Sequence, residues 1–380
     1  MYDYIVVGAG LSGSITARYL AEEKNKKVLV MDKRNHIGGN AYDYINDEGI
    51  LVQKYGPHIF HTNNDKVMKY LEKWGTWKPF NLKCMVYMNE KYTPSPFNFQ
   101  TIDDYFTEEK AQSIKTHLKE QFPGRESATI VEMLENDDEV VKEYAQFLFD
   151  NDYSLYTAKQ WGIDPKEIDI SVLKRVPVLL SYETGYFSDT YQAMPEGGFT
   201  TVIKNILDHS NIDVVLNRNV MEDIGIDRLA GLIKYKGESI PMIYTGALDE
   251  LLDYQFGRLP YRTLEFEWKT VETDSYQDAP VVAYPQEAGY TRITEYKKLP
   301  VQQVAGKSTI AVEYPVKVSE DAEVEPYYPI PTESSEKAYA QYKNAVEGIT
   351  NLYLCGRLAE YKYYNMDQVI ERALELCDRF

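Results

Sequence analysis

VVGAGLSG, Val6 to Gly13, is the stretch on which the fold turns. It closes the apolar run YDYIVVGAG and opens LSGSITARYLAEEKN, whose spacing predicts a helix; KKVLVMD then predicts a second buried strand. Gly8, Gly10 and Gly13 stand in G-x-G-x-x-G spacing between that strand and that helix. The first glycine permits a tight turn and the second lets the backbone approach a pyrophosphate. The third allows close packing of helix on strand, and the helix N-terminus attracts the phosphate charge. Asp32 closes the second strand, where a carboxylate accepts a ribose hydroxyl. Taken together, these features predict a βαβ unit that binds a dinucleotide.

Outward from this unit the texture changes twice. Residues 65–180 are rich in helix formers and charge, as in DKVMKYLEKWG and DDEVVKEYAQFLFD, and are expected to form a mainly helical subdomain. Residues 181–199 and 248–344 carry short Tyr-, Thr- and Val-rich runs broken by Pro and Gly, such as LEFEWKTVETD and KSTIAVEYPVKV, which predicts an antiparallel sheet domain. Segments 1–64, 200–247 and 345–380 keep α/β character. The expected class is therefore α/β with α and β insertions: a discontinuous nucleotide domain, an inserted helical subdomain and an antiparallel β-sheet substrate domain.

Composition narrows the partners. A formal net charge of −18 is incompatible with the basic footprint nucleic acid needs. A few arginines inside a cleft can still hold an anionic small ligand. No run of 18 apolar residues is present, so no membrane span is expected, and the acid at Asp3 argues against a signal peptide. Cys84, Cys355 and Cys377 show no pairing pattern, which points to a reducing cytoplasm. The closest histidines, His58 and His61, have no carboxylate spaced to complete a metal site, so no metal is expected. Tyrosines number 33 against 13 phenylalanines, and a ring with a hydroxyl suits the wall of a polar cleft.

Just beyond Asp32, KRNHIGGNAYD holds a second glycine pair, Gly38 and Gly39, followed by Asn40. This resembles the extended FAD fingerprint of amine-oxidase-like flavoproteins. Near the other end, LYLC runs into GRLAEYKYYNMDQ (Gly356 to Gln368) and then into the helical VIERALELC. In the same family group a last strand ends in such a Gly-Arg pair, and the next helix points its N–H groups at the flavin. A helix N-terminus there stabilises the negative charge of a reduced flavin.

Eight colinear segments, among them YGPHIFHTNN, YTAKQWG, LKRVPV, YFSDTYQAMPEGGFT, FGRLPYRTLEF, YTRITEYK and PYYPI, resemble bacterial UDP-galactopyranose mutases from one end of the chain to the other. The resemblance implies a Rossmann-like FAD-binding domain. It also implies an isomerase that interconverts UDP-galactopyranose and UDP-galactofuranose, supplying galactofuranose for cell-surface glycans. Catalysis would be non-redox and covalent, with N5 of the reduced FAD hydroquinone as nucleophile, so no protein nucleophile is needed. No second dinucleotide fingerprint is present, so an external reductant is expected for the flavin, and bacterial relatives imply a homodimer.

The same resemblance assigns residues. Arg175, on an expected mobile loop, and Arg292 match the diphosphate arginines. Tyr186, Tyr328 and Tyr363 match hydroxyl donors to that diphosphate. Tyr156 matches the residue stacking on uracil, with Tyr153, Thr157, Trp161 and Phe187 nearby. His61 has its backbone beside flavin N5, and Arg357 lies by flavin and sugar. Leu11, Ser12, Lys33, His58, Val220, Gly356, Met366 and Asp367 join the glycines, Asp32 and Asn40 as cofactor contacts. Glu313 matches a family carboxylate. Without the resemblance, Arg292 reads as a solvated strand charge, Tyr328 as a sheet edge and Trp161 as core.

One position departs: where the family reads D-M-D, this chain reads Asn365-Met366-Asp367. An amide keeps size and hydrogen bonding but loses charge near the sugar. Two rival readings share the glycine fingerprints. An amine-oxidase-like flavoenzyme predicts an aromatic cage and no arginine pair for a diphosphate. A non-catalytic nucleotide-binding protein leaves the arginine and tyrosine set unexplained.

Overall fold

The computed structural model describes residues 1–161, 177–316 and 325–380. At its centre is a five-stranded parallel sheet in the order Ile212–Val215, Val28–Met31, Tyr4–Val7, Met242–Tyr244, Leu352–Leu354. Both faces are covered, which is why its strands read as continuous apolar runs rather than alternating ones. Val6, Val28, Val30 and Ile243 face helices Leu11–Glu22, Phe199–Leu207 and Met366–Cys377. Their neighbours Ile5, Leu29, Met31, Met242 and Tyr244 turn the other way, onto helices Leu248–Leu251 and Glu333–Val346. This two-residue alternation is the pleat of each strand made visible in its packing.

A seven-stranded sheet forms the second layer, ordered Tyr328–Pro329, Tyr261–Val271, Ser308–Val316, Arg292–Glu295, Val281–Ala283, Cys84–Met88, Lys91–Ser95. Its neighbours run antiparallel except the parallel pair Val281–Ala283 with Cys84–Met88. The long pairing from Thr263 opposite Val316 to Val271 opposite Ser308 stiffens its middle, and Arg292 sits opposite Glu313. A smaller sheet of Phe60–Thr62, Tyr191–Pro195 and Trp77–Pro79 joins the two layers.

The helical lobe stacks Phe99–Tyr105, Glu108–Gln121, Ile130–Leu134 and Glu139–Leu148 around Ile102, Ile114, Leu118, Met133 and Val141. Asn98, Thr107, Thr129 and Asp138 each cap a helix by accepting backbone N–H groups, worth about 1 kcal/mol apiece. A single π-helical turn, Phe149–Tyr153, leads directly into helix Ser154–Trp161.

The structure redraws one expected boundary. Within the stretch read as helical, Cys84–Met88 and Lys91–Ser95 form a hairpin that completes the seven-stranded sheet. Helix Asp65–Leu71 belongs to the central core through Val67, Met68 and Leu71, not to the helical lobe. Among the described residues no helix is long and apolar enough to cross a membrane.

Candidate active site

The glycine turn builds one wall of a cavity of about 210 Å³ that opens to solvent. Gly8 sits at φ +105°, and a Cβ there would lie 2.0 Å from Thr245 Oγ1. A Cβ on Gly13 would lie 2.0 Å from the Gly8 carbonyl oxygen, so this glycine serves helix–strand packing beneath the cavity. The second glycine loop is drawn onto the first: Gly38 N–H donates to the Ala9 carbonyl at 2.8 Å, and a Cβ on Gly39 would be 3.0 Å from Gly10 Cα. Helix Leu11–Glu22 begins at Gly10 with no side-chain cap and no acid in its first turn, leaving its N–H dipoles available to an anion.

Asp32 accepts from Ala9 N–H at 2.8 Å and Arg34 N–H at 2.9 Å, which fixes its carboxylate at the cavity edge. Leu11, Ser12, Lys33, Asn40, Val220, Gly356, Arg357 and Met366 share that lining with the glycines, and His58 closes the far end. The uncapped helix, the glycine-walled channel and Asp32 at its edge fit an extended dinucleotide such as FAD. Asp367 does not join the lining. Its carboxylate accepts from Thr62 Oγ1 at 2.9 Å and from Gln368 N–H at 2.8 Å, pinning the last helix to strand Phe60–Thr62.

His58 is clamped by the buried Gln53, which donates to the His58 carbonyl at 2.9 Å and accepts its N–H at 2.5 Å. Burial, with smaller effects from Arg357 and Arg292, pushes the imidazole down to about 4, so His58 is neutral at physiological pH. His61 stacks on Phe187 with ring centroids 3.8 Å apart, and its Nδ1 lies 2.8 Å from Asp189 Oδ2. Tyr186 packs edge-on to Phe187 and is 44% exposed, with its ring open to the cleft.

Beyond the cavity mouth lies a cluster of arginines and tyrosines. Arg292 Nε donates to Glu313 Oε2 at 2.6 Å, and Glu313 is 3% exposed. Burial disfavours the charge on Arg292. The combined pull of Glu313, Tyr156 and Tyr328 outweighs that and raises its pKa, so the guanidinium stays charged. Tyr156 is pushed up by burial, against the opposing effect of Arg292. Tyr328 and Tyr363 stack at 5.4 Å with 17° between planes, and Arg357 lies 4.8 Å from the first ring and 5.4 Å from the second. Arg357 is steadied by the Tyr364 and Tyr327 carbonyls.

Arg262 belongs to the same group and escaped the sequence reading. Its guanidinium lies 5.4 Å from the Tyr328 ring and reaches Gln160 Oε1 at 3.4 Å. The segment FGRLPYRTLEF carries only a family likeness. What identifies Arg262 is the strand register that sets it opposite Tyr328, which no local pattern displays. Three guanidiniums and four tyrosine rings in one cleft make a site for a dianion attached to a stacking group.

Other expected residues are placed less centrally. Tyr153 packs edge-on against Phe97 inside the helical core, with centroids 5.4 Å apart. Thr157 lies on the helix that carries Tyr156 and is half-buried. Asn365 is exposed at the start of the last helix, its N–H donating to Gln368 Oε1 at 2.9 Å. Arg175, with the loop expected to close over substrate, lies outside the described residues, as does the side chain of Trp161.

Known proteins resemble this chain along its length. The family model described as UDP-galactopyranose mutase matches residues 151–363, and that of an NAD(P)-binding Rossmann-like domain matches 6–74. A dTDP-fucopyranose mutase of Escherichia coli is 35% identical, covering 99% of this chain and 97% of its own. A UDP-galactopyranose mutase of Mycoplasma pneumoniae is 34% identical, covering 98% and 94%. A solved structure of reduced UDP-galactopyranose mutase superposes with a TM-score of 0.70 at 16% identity over 100% of this chain and 93% of that one, which establishes the shared fold. Likeness to a flavin-containing amine oxidase A of dog, 31% identical, reaches only 25% of this chain. The family model covers the arginine and tyrosine cluster and the full-length relatives cover everything else: this chain belongs to the UDP-galactopyranose mutase family.

Proposed function

We propose that the protein interconverts the pyranose and furanose forms of a nucleotide-linked sugar on reduced FAD, with UDP-galactose as substrate. The observation that carries this reading is the Arg292–Glu313 pair set among Arg357, Arg262, Tyr328 and Tyr363 at the mouth of the dinucleotide cleft. An amine oxidase has no use for three cations there.

Reduced FAD supplies, when bound, a nucleophilic nitrogen for the anomeric carbon, so the protein needs no nucleophile of its own. The chain's own residues do the rest. Tyr156 offers a ring face to the base, while the Tyr328 and Tyr363 hydroxyls and the arginines hold the diphosphate. As the anomeric bond breaks, negative charge gathers on the diphosphate, and fixed guanidiniums stabilise that state more than the ground state. Neutral His58 avoids placing another cation beside the reacting sugar. Covering of the site by the Arg175 loop belongs to the same proposal, as do a homodimeric assembly, an external flavin reductant and supply of galactofuranose to surface glycans. The three buried free thiols support work in the reducing cytoplasm.

A second reading has dTDP-fucopyranose as the substrate, because the Escherichia coli relative with that name is as similar as the galactose enzymes. One experiment separates them. The protein is incubated anaerobically with each furanose nucleotide, with and without dithionite, and the products are separated by chromatography. Dithionite-dependent conversion of UDP-galactofuranose supports the first reading, conversion of the dTDP-fucose compound alone supports the second, and no conversion of either overturns both.

A further inference from the structure

We infer that Lys159 is a positioning residue, a three-point tether that fixes the distance between the base-stacking helix and the strand carrying Arg292. Lys159 stands one helical turn after Tyr156, on the same face of helix Ser154–Trp161. Its ammonium donates to the carbonyls of Tyr284 at 2.5 Å, Glu287 at 2.6 Å and Tyr290 at 2.8 Å. Those bonds use all three donors of the group, and they gather the turn between strands Val281–Ala283 and Arg292–Glu295 around one point.

The two ends of the turn are anchored, Tyr284 N–H donating to the Thr291 carbonyl at 2.8 Å and the Tyr284 and Tyr290 rings packing together, but its tip is not anchored in this way. Residues Gln286 to Gly289 are exposed, and Gly289 takes φ +89°. A second tie runs from the same lobe: Gln286 meets Asn151 at 3.2 Å and Asn89 at 2.9 Å. Asn151 belongs to the π-helical turn that feeds the Lys159 helix. The buried carboxyl of Asp152 and the exposed Glu287 are the acids that face the ammonium. Arg292 follows Tyr290 by two positions, so the strand that presents the guanidinium begins where the tether ends. Gln160, the next residue of the helix, touches Arg262. Lys159 thus joins the base side of the cleft to its diphosphate side through the backbone carbonyls of the turn.

This inference rests on the nucleotide-sugar reading, and the test keeps the two apart. Lys159→Met is compared with the unmodified protein for UDP binding by calorimetry, for KM and kcat, and for hydrogen exchange along the chain. The tether predicts a Kd for UDP and a KM raised about tenfold or more with kcat changed far less, because binding geometry rather than chemistry is loosened. It also predicts faster exchange confined to Ser154–Trp161 and Tyr284–Arg292. Lys159→Cys treated with 2-bromoethylamine, which rebuilds an ammonium of nearly the same length, restores both; Cys84, Cys355 and Cys377 are buried away from the reagent. Unchanged KM and Kd overturn the inference, as does a lower melting temperature with KM intact, or failure of the rebuilt ammonium to recover binding. If the unmodified protein does not bind UDP, the functional reading falls. Hydrogen exchange then decides the tether by itself, and unchanged exchange in both segments overturns it.

Discussion

Glu313 and Arg292 face each other across paired strands, carboxylate to guanidinium at 2.6 Å, with the acid buried and the base turned to the cleft. Glu313 therefore aims the Arg292 guanidinium into the cleft. Glu313→Gln keeps the shape but removes the charge that holds Arg292 in place. A charge-assisted bond of this kind is worth about 1.5–3 kcal/mol, so kcat/KM is expected to fall about 10- to 100-fold with the fold intact. Steady-state kinetics beside a circular dichroism melt check this; unchanged kcat/KM would refute the aiming role.

Gly13 permits no side chain. Gly13→Ala places a methyl 2.0 Å from the Gly8 carbonyl oxygen and 3.0 Å from Val6 Cγ1. The helix must move off the strand, at a cost of about 1–3 kcal/mol. The expected outcome is a colourless or faintly yellow protein, read as flavin absorbance per mole, with a lowered melting temperature.

His58 makes stability fall in mild acid. Its pKa in the folded state, about 4, is below the ordinary value of 6.5, so the unfolded chain takes up the proton first. Stability is fully present above 6.5 and is lost as pH drops from there through 4. The residue is only half-buried, which limits the effect to about 1–2 kcal/mol. His58→Gln should flatten urea unfolding midpoints between pH 7 and 4.5, whereas an identical slope in both proteins would exclude His58 as the cause.

Asp152 works in the opposite sense. Burial pushes its carboxyl up to about 7, opposed by Lys159. A raised folded pKa means stability that is present below the ordinary 3.8 and lost as pH rises through 7. Asp152→Asn removes a buried charge at pH 8 and is expected to stabilise the protein there by about 1–3 kcal/mol, with a much smaller gain at pH 4. Chemical denaturation at the two pH values checks it.

Much of the nucleotide unit was legible because its physics is local. Gly8, Gly10, Gly13 and Asp32 do their work within one βαβ unit, and the second glycine loop lies next to it in sequence. The hairpin Cys84–Met88 and Lys91–Ser95 was not legible. Its turn is Asn89-Glu90, with φ of +48° and +63°, a type I′ conformation that usually announces itself by Asn-Gly. With glutamate in place of glycine and lysines around it, the segment blends into the charged helices on either side. Arg262 was hidden for another reason: its partner Tyr328 is distant in sequence, and only the register of a completed sheet joins them. The bond that Asp367 makes to Thr62 was not legible either, because that hydroxyl arrives from the first part of the chain.

The order in which the central sheet is threaded bears on how the protein comes into being. Its strands leave the ribosome as Tyr4–Val7, Val28–Met31, Ile212–Val215, Met242–Tyr244 and finally Leu352–Leu354, and Gly356 and Met366, two walls of the cofactor cavity, follow even later. Contacts of such long sequence separation are slow to close. The glycine loop therefore waits as half a cradle while more than three hundred residues are added, and the cavity acquires its remaining walls only once Gly356 and Met366 have emerged and docked.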